Sequence, residues 1–146
     1  MTVNPSPAHP ASEPKGQAAS RDLLALMPYA VALGVVLESA SAQQAIGHLP
    51  WAPHRCTAGG IMHGGALIAL ADTIGAVCAY LGLPAGASTA TTSSTTHLFR
   101  AVHDGRVTAT ARPLHHGRTL IVIQTDLADA AGRPVAQVTQ TQAVLT

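Results

Sequence analysis

The pattern of apolar and polar positions changes period in the middle of the chain. Residues 60–83, GIMHGGALIALADTIGAVCAYLGL, stay apolar on every side for about five helical turns, which is typical of a buried helix. Small residues recur along this segment and allow other backbone to come close. One carboxylate, Asp72, lies near its centre, and a buried acid is costly unless it has a partner or a task.

This segment is also nearly long enough to cross a membrane. Its central acid argues against a transmembrane helix, because ionisable residues are rare inside the bilayer, and the chain has no second segment of this kind. We therefore expect a buried helix of a soluble domain.

The segments on either side are shorter. Ser20 is predicted to cap a short amphipathic helix that has Asp22 in its first turn and ends near Pro28. Six strands are predicted, at residues 31–39, 42–49, 88–99, 106–114, 118–127 and 135–145. Runs of strands without alternating helices indicate the α+β class, with an antiparallel sheet packed on one long helix.

Length and composition limit the organisation and the function. A chain of 146 residues is expected to form one domain. Residues 1–19, with four prolines and no apolar periodicity, are predicted to be a disordered tail before a domain at residues 20–146. Charged residues make up only 10% of the chain, which favours an oligomer that covers part of the surface.

Net charge, aromatic content and the first residues of the chain indicate which partners and which location to expect. A net charge of +1 and 3% aromatic residues disfavour nucleic acid as a partner. The first residues lack both the basic start and the apolar run of a secretory signal, so a cytoplasmic location is the default expectation.

Candidate chemistry begins at His63, Gly64 and Gly65, where loop becomes helix. The first amides of a helix have no internal acceptor and lie at the positive end of its dipole, and glycine lets a ligand approach the backbone. The Gly64 amide is therefore a candidate to hold the oxygen of a polarised carbonyl. The alternative, that the glycines only permit a tight turn into the helix, stays open.

Asp72 is the second element of the candidate site. It lies eight residues after Gly64, so the two are roughly 12 Å apart along a helix and cannot both reach one carbonyl carbon within a chain. Two such helices lying antiparallel across a two-fold axis would bring the helix start of one subunit to the acid of the other. The alternative is a buried structural acid that hydrogen-bonds to a neighbouring loop.

The stretch HGGALIALAD, with an acid nine residues after the histidine, resembles the signature of hotdog-fold acyl-CoA thioesterases. The resemblance is to the branch that includes the phenylacetate-pathway and 4-hydroxybenzoyl-CoA types, and it covers residues 30–146, including a later HGR. It implies an antiparallel sheet wrapped around one long central helix and homodimers that often pair into tetramers. It also implies thioester hydrolysis without a metal or other cofactor.

The resemblance assigns roles by position. Asp72 matches the catalytic carboxylate, which is a nucleophile or a general base depending on the member. Gly64 matches the oxyanion-hole amide, and His63 the residue that positions this loop or the thioester. Thr91 aligns with a hydroxyl that helps to hold water in some members.

Two positions depart from the family pattern. Thr57 stands where the family usually has a longer Asn or Gln that contacts the thioester or the water. Ala76 stands four residues after the acid, where some members carry Ser or Thr. Both departures bear on substrate choice and rate.

Candidates for CoA binding come from three places in the chain. Arg118 is a candidate for a CoA phosphate, because a planar guanidinium suits that ligand, and His116 and Gly117 precede it. Gly65 and Arg100 are the other candidates. A plain hairpin turn with an exposed arginine explains the HGR segment equally well.

The sequence has no motif typical of a metal site or of a serine catalytic triad. The adjacent His115 and His116 would point to opposite faces of a strand, and the remaining histidines have no metal-ligand spacing, so no metal site is predicted. The chain also lacks the G-x-S-x-G sequence of a nucleophilic serine.

We therefore predict an acyl-CoA thioesterase that hydrolyses a thioester to free acid and CoA at a site shared between two subunits. The alternative is a non-catalytic acyl-CoA-binding or sensor protein on the same fold. A hotdog hydratase is less consistent, because it needs an Asp and a His placed differently. The sequence leaves open the acyl group, the choice between direct attack and activation of water, and the choice between dimer and tetramer.

Overall fold

A computed structural model of the chain describes residues 15–146, with side chains from Ser20 onward. The helices are α1 (Lys15–Ala25), α2 (Pro28–Leu33) and α3 (Gly64–Leu81). The strands are β1 (Val36–Ala40), β2 (Ala45–Pro50), β3 (Ser88–Leu98), β4 (Arg106–His116), β5 (Leu120–Ala128) and β6 (Pro134–Leu145). Two short 3-10 turns, Pro53–Arg55 and Ala58–Gly60, lie in the loop before α3.

The six strands form one sheet in the order β1-β2-β4-β5-β6-β3. Every neighbouring pair is antiparallel, and α3 contacts all six strands. The predicted α+β class, with one long helix against an antiparallel sheet, is confirmed. The last strand in the order, β3, pairs only with β6 and leaves its other edge free within the described chain.

Helix α3 packs closely against the sheet. Leu70, Ala71 and Ile74 are fully buried in this contact. A Cβ at Gly47 of β2 would lie 2.3 Å from Ile74 Cδ1, so glycine is what lets the strand pass this close to the helix. By length and composition α3 resembles a membrane span, but 56% of it is buried inside the fold, as expected of a core helix.

Two predictions near the start of the domain are wrong. Helix α1 begins at Lys15, so Ser20 and Asp22 lie inside it and neither is at its start. Residues 31–33, predicted to begin a strand, belong to α2, which starts at Pro28 and ends at Gly34 with φ of 93°. Proline suits the first turn of a helix, and glycine suits a left-handed end.

The predicted tail falls largely outside the described residues. Residues 1–14 lie beyond them, and residues 15–19 form the first part of α1. Disorder of the tail and the domain boundary at residue 20 therefore stay predictions.

Gly47→Ala is expected to lower the melting temperature. The added methyl group would meet Ile74 Cδ1 and also the backbone oxygen of Val36 at 2.7 Å, and a paired strand backbone cannot easily move aside. Overpacking of this kind costs about 1–3 kcal/mol, which corresponds to a loss of roughly 3–15 °C. Circular dichroism during thermal unfolding measures the midpoint. Thr108→Ala, on the half-buried face of β4, is the control variant, and its midpoint should stay close to that of the wild type. An unchanged midpoint for Gly47→Ala would contradict this close helix–strand contact.

Candidate active site

His63 caps the start of α3. Its backbone is extended, with φ −62° and ψ 135°, and its Nδ1 accepts a hydrogen bond from the Gly65 amide at 2.8 Å. Since Nδ1 accepts, the neutral ring carries its proton on Nε2. The His63 amide donates to Arg55 O at 2.8 Å, and the Arg55 guanidinium donates to Pro50 O at 2.8 Å. His63 therefore joins the preceding loop to the helix start, and the role predicted for it in positioning this loop or the thioester stays a prediction.

The two glycines after His63 differ in what their amides do. The Gly65 amide is used in the bond to His63, so it is not available to a ligand in this arrangement. The Gly64 amide belongs to the first residue of α3 and has no acceptor among the described residues. Of the two, Gly64 is the one that offers a free donor at the positive end of the helix.

A cleft of about 320 Å³ lies at this end of the helix. It is lined by Thr57, Ile61, Met62, Gly64, Leu67, Leu98, Phe99, Arg100 and Ala101. The structure therefore brings three predicted residues, Thr57, Gly64 and Arg100, to one cleft. Thr57 and Arg100 are both exposed there.

Asp72 is exposed in the single chain, so the expectation that this acid is buried is wrong. Its Oδ1 atom accepts hydrogen bonds from Gln140 Nε2 at 3.1 Å and from Thr91 Oγ1 at 3.4 Å. Two residues predicted separately for the site, Asp72 and Thr91, are thus in contact. Ala76, one turn further along α3, has no polar side-chain atom, and the carboxylate takes its partners from β3 and β6.

Two glutamines that the sequence reasoning missed extend this network. Gln142 Nε2 donates to Thr91 Oγ1 at 2.8 Å, and Gln142 Oε1 accepts from Thr89 Oγ1 at 3.2 Å. Gln140 and Gln142 are 0% and 1% exposed, respectively. In β6 both glutamines lie on the same buried face as Val138, and they alternate with residues that point outward. Glutamine at core positions of a strand is the sequence signal that could have identified them.

Gly64 and Asp72 lie on the same seam, between α3 and the edge strand β3. A Cβ at Gly64 would lie 3.0 Å from Leu98 Cδ1, and Thr91 contacts Asp72, so β3 runs alongside α3 in the opposite direction. The two groups are separated by eight residues of continuous helix, roughly 12 Å. Both therefore lie beside the edge strand β3, too far apart to share one carbonyl carbon.

The HGR candidates lie elsewhere. His116 Nε2 donates to Gly82 O at 2.8 Å, at the C-terminal end of α3, and Gly117 closes the β4–β5 turn through its bond to Leu120 O. Arg118 is exposed in that turn. Gly82 is 18 residues beyond Gly64, roughly 27 Å along the helix, so one chain does not bring these three residues to the start of α3.

The described residues offer little other reactive chemistry. Within residues 20–146, no group of three His, Cys, Asp or Glu side chains is placed to hold a metal ion. Burial raises the pKa of the Cys78 thiol, which keeps it protonated at neutral pH and suits a packing role.

Comparison with known proteins identifies the family. The model of the thioesterase superfamily matches residues 59–136, just over half of the chain. This chain belongs to the thioesterase superfamily. The matched segment contains all of α3, both ends of the Asp72–Thr91 contact and most of the sheet.

Individual relatives agree with this assignment. A predicted esterase of Deinococcus radiodurans is 31% identical over 145 residues, covering 91% of this chain and 90% of that protein. The 1,4-dihydroxy-2-naphthoyl-CoA hydrolase of Escherichia coli is 33% identical over 86 residues, covering 59% of this chain and 63% of that enzyme. The chain spans about half the length, 49% and 51%, of two relatives from Haemophilus influenzae and Vibrio cholerae.

Solved structures confirm the fold. A mutant thioesterase of Pseudomonas aeruginosa superposes with a TM-score of 0.81 at 27% identity, covering 86% of this chain and 93% of that one. The hotdog-fold thioesterase predicted from the sequence is therefore confirmed in fold and family. The individual roles predicted for the site residues stay predictions.

His63→Ala is expected to lower both the melting temperature and any activity that depends on the start of α3. Loss of a helix cap costs about 1 kcal/mol, and the variant loses the side-chain bond to the Gly65 amide while it keeps the backbone bond to Arg55 O. His63→Asn is the matched variant, because asparagine caps well, and it should keep most of the thermal stability. Equal melting temperatures for His63→Ala and the wild type would show that the cap is not needed.

Proposed function

We propose that this thioesterase hydrolyses acyl-CoA at two equivalent sites, each built from two subunits of a homodimer. The observation that carries this proposal is the placement of Asp72 and Gly64 on one seam, roughly 12 Å apart. A single chain therefore offers two half-sites, and an antiparallel partner helix would complete each one. The family and the relatives named as thioester hydrolases support the reaction type, and the E. coli relative named above acts on a CoA thioester.

The free edge of β3 supports the dimer. This strand has eleven residues, nine of them exposed, and it lies at one end of the sheet. Proteins commonly protect such an edge with lysine, proline or a short strand, yet STATTSSTTHL has neither lysine nor proline. Pairing of two β3 edges across a two-fold axis would satisfy their unpaired backbone groups and place the two α3 helices antiparallel.

The chemistry follows from the two groups. The Gly64 amide would donate to the thioester oxygen as negative charge develops on it. The partner's Asp72 would then attack the carbonyl carbon, releasing CoA thiolate and leaving an acyl anhydride that water hydrolyses, or it would take a proton from the attacking water. The first route needs a carboxylate oxygen aimed at the carbonyl carbon, the second needs one aimed at the attacking water, and both yield the free acid and CoA.

The acyl group has a candidate cavity one helical turn beyond Asp72. A space of about 170 Å³ lies between α1, α3 and β3. It is lined by Leu23, Leu26, Met27, Ala76, Val77, Tyr80 and Thr89. Because this wall carries no ionised group, we propose that the enzyme prefers uncharged alkyl or aryl acyl groups of modest size. The cytoplasmic location expected from the sequence stays a prediction.

A panel of CoA esters tests the reaction and the acyl preference together. Release of free thiol should be readily measured with hexanoyl-CoA and benzoyl-CoA, and kcat/KM should be much lower with succinyl-CoA, which would bring a carboxylate against the apolar wall. Asp72→Asn should keep its melting temperature and lose activity by roughly 100-fold or more. If no ester is turned over but acyl-CoA still binds, the protein is an acyl-CoA-binding protein on this fold.

Subunit exchange tests the shared site. Asp72→Asn disables one half-site and Gly64→Pro removes the amide from the other. The extended backbone of His63, with ψ of 135°, suits a residue that precedes proline. After random exchange of equal amounts, half of the dimers are mixed, and each has one intact site, so activity should return to about a quarter of the wild-type value. Mixed dimers seen by native mass spectrometry with no recovered activity would rule out the shared site.

A further inference from the structure

Gln140, a residue of β6, contacts the proposed catalytic carboxylate from inside the core. Its side chain is 0% exposed, and its Nε2 donates to Asp72 Oδ1 at 3.1 Å. Its Oε1 is buried and has no hydrogen-bond partner in the described part of the chain. A buried amide with an unpaired oxygen is less favourable than an apolar side chain of the same size. Packing alone therefore does not explain a glutamine at this position.

Helix α3 is shaped to admit this amide. A Cβ at Gly75 would lie 2.2 Å from Gln140 Oε1, so any larger residue would displace the amide from its present position. Glycine in the interior of a helix is itself unfavourable relative to alanine. Gly75 and Gln140 are each unfavourable for the stability of the fold at their positions. Together they make room for one hydrogen bond, from Gln140 to Asp72.

This hydrogen bond is not needed to solvate the acid. Asp72 is exposed, so water can satisfy its charge in the single chain. The geometry instead distinguishes the two carboxylate oxygens. Oδ1 accepts from both Gln140 and Thr91, whereas Oδ2 has no partner among residues 20–146.

We propose that Gln140 is a positioning residue, which holds Oδ1 of Asp72 so that Oδ2 is presented to the thioester or to the attacking water. This inference rests on the proposed thioesterase function. Thr91 supports the same oxygen more weakly, at 3.4 Å, and is itself held by Gln142. The carboxylate is thus oriented by the sheet beneath it, and the face that would meet a substrate stays open.

Gln140→Met tests this role, because methionine keeps the unbranched shape and removes the donor. We expect kcat for the best ester of the panel to fall roughly 10- to 100-fold, as for loss of one hydrogen bond to a charged group. KM should change by less than about threefold, since ground-state binding is not involved. The melting temperature should stay equal or rise, because an unpaired buried oxygen is removed.

The chain offers a matched control in Gln137. This glutamine lies on the same strand, points to the other face and donates to a different carboxylate, Asp126 Oδ1, at 2.9 Å. Gln137→Met should leave kcat and KM unchanged. Equal losses of kcat in the Gln137 and Gln140 variants would identify a general effect of altering β6 and overturn the proposal.

Gly75→Ala provides an independent variant that leaves the glutamine in place. The added methyl group should push the amide away from Asp72 and lower kcat in the same way, even if Gln140→Met does not fold. An active wild type with unchanged kcat in a folded Gln140→Met or Gly75→Ala variant would overturn this inference alone. A wild type that hydrolyses no ester of the panel would overturn the proposed function, and the inference with it.

Discussion

The close contact between α3 and the sheet is the constraint on which the rest of this structure depends. The helix touches all six strands, and a glycine lies on one side of the contact at two close approaches. Gly47 lies under Ile74, and Gly75 lies over Gln140. Both ends of the helix are held by histidines, since His63 caps the first turn and His116 donates to a carbonyl of the last. The same helix is therefore the centre of the core and the carrier of the candidate chemistry.

This double role decides where the site lies. A reactive carboxylate on a core helix must emerge at a place where the sheet does not cover it, and the seam with the edge strand is such a place. Holding the Asp72 carboxylate in this way lowers the stability of the fold locally. The unpaired buried oxygen of Gln140 is unfavourable by about 1–3 kcal/mol. Proteins depart from optimal packing of this kind mainly at functional positions.

Much of the fold follows from the sequence, and the failures have identifiable causes. The period change after residue 83 correctly separates the helix from four strands. The prediction for residues 31–33 is wrong because the segment PYAVAL of α2 is apolar and short, and periodicity alone does not distinguish a short helix from a strand. Pro28 and Gly34 were the stronger signals, since they mark a helix start and a left-handed helix end.

The candidate site was only partly predictable. His63, Gly64 and Asp72 are close in sequence and could be placed on one helix from spacing alone. The contacts of Asp72 with Thr91 and Gln140 depend on β3 pairing with β6, a long-range pairing that no local pattern encodes. The separation of the HGR turn from the helix start has the same cause, because it depends on which end of α3 that hairpin meets.

The position of α1 has a consequence for how enzymes of this kind diverge. Leu23 of α1, with Leu26 and Met27 just after this helix, forms one wall of the cavity proposed for the acyl group, and these residues lie outside the sheet and outside the Asp72 network. The rest of the cavity, formed by Ala76, Val77, Tyr80 and Thr89, belongs to the helix and strand that carry the candidate chemistry, so only one wall is independent of it. Mutations at residues 23–27 can reshape acyl preference while the carboxylate and its hydrogen bonds are inherited unchanged, so new specificities become accessible through changes in one peripheral segment.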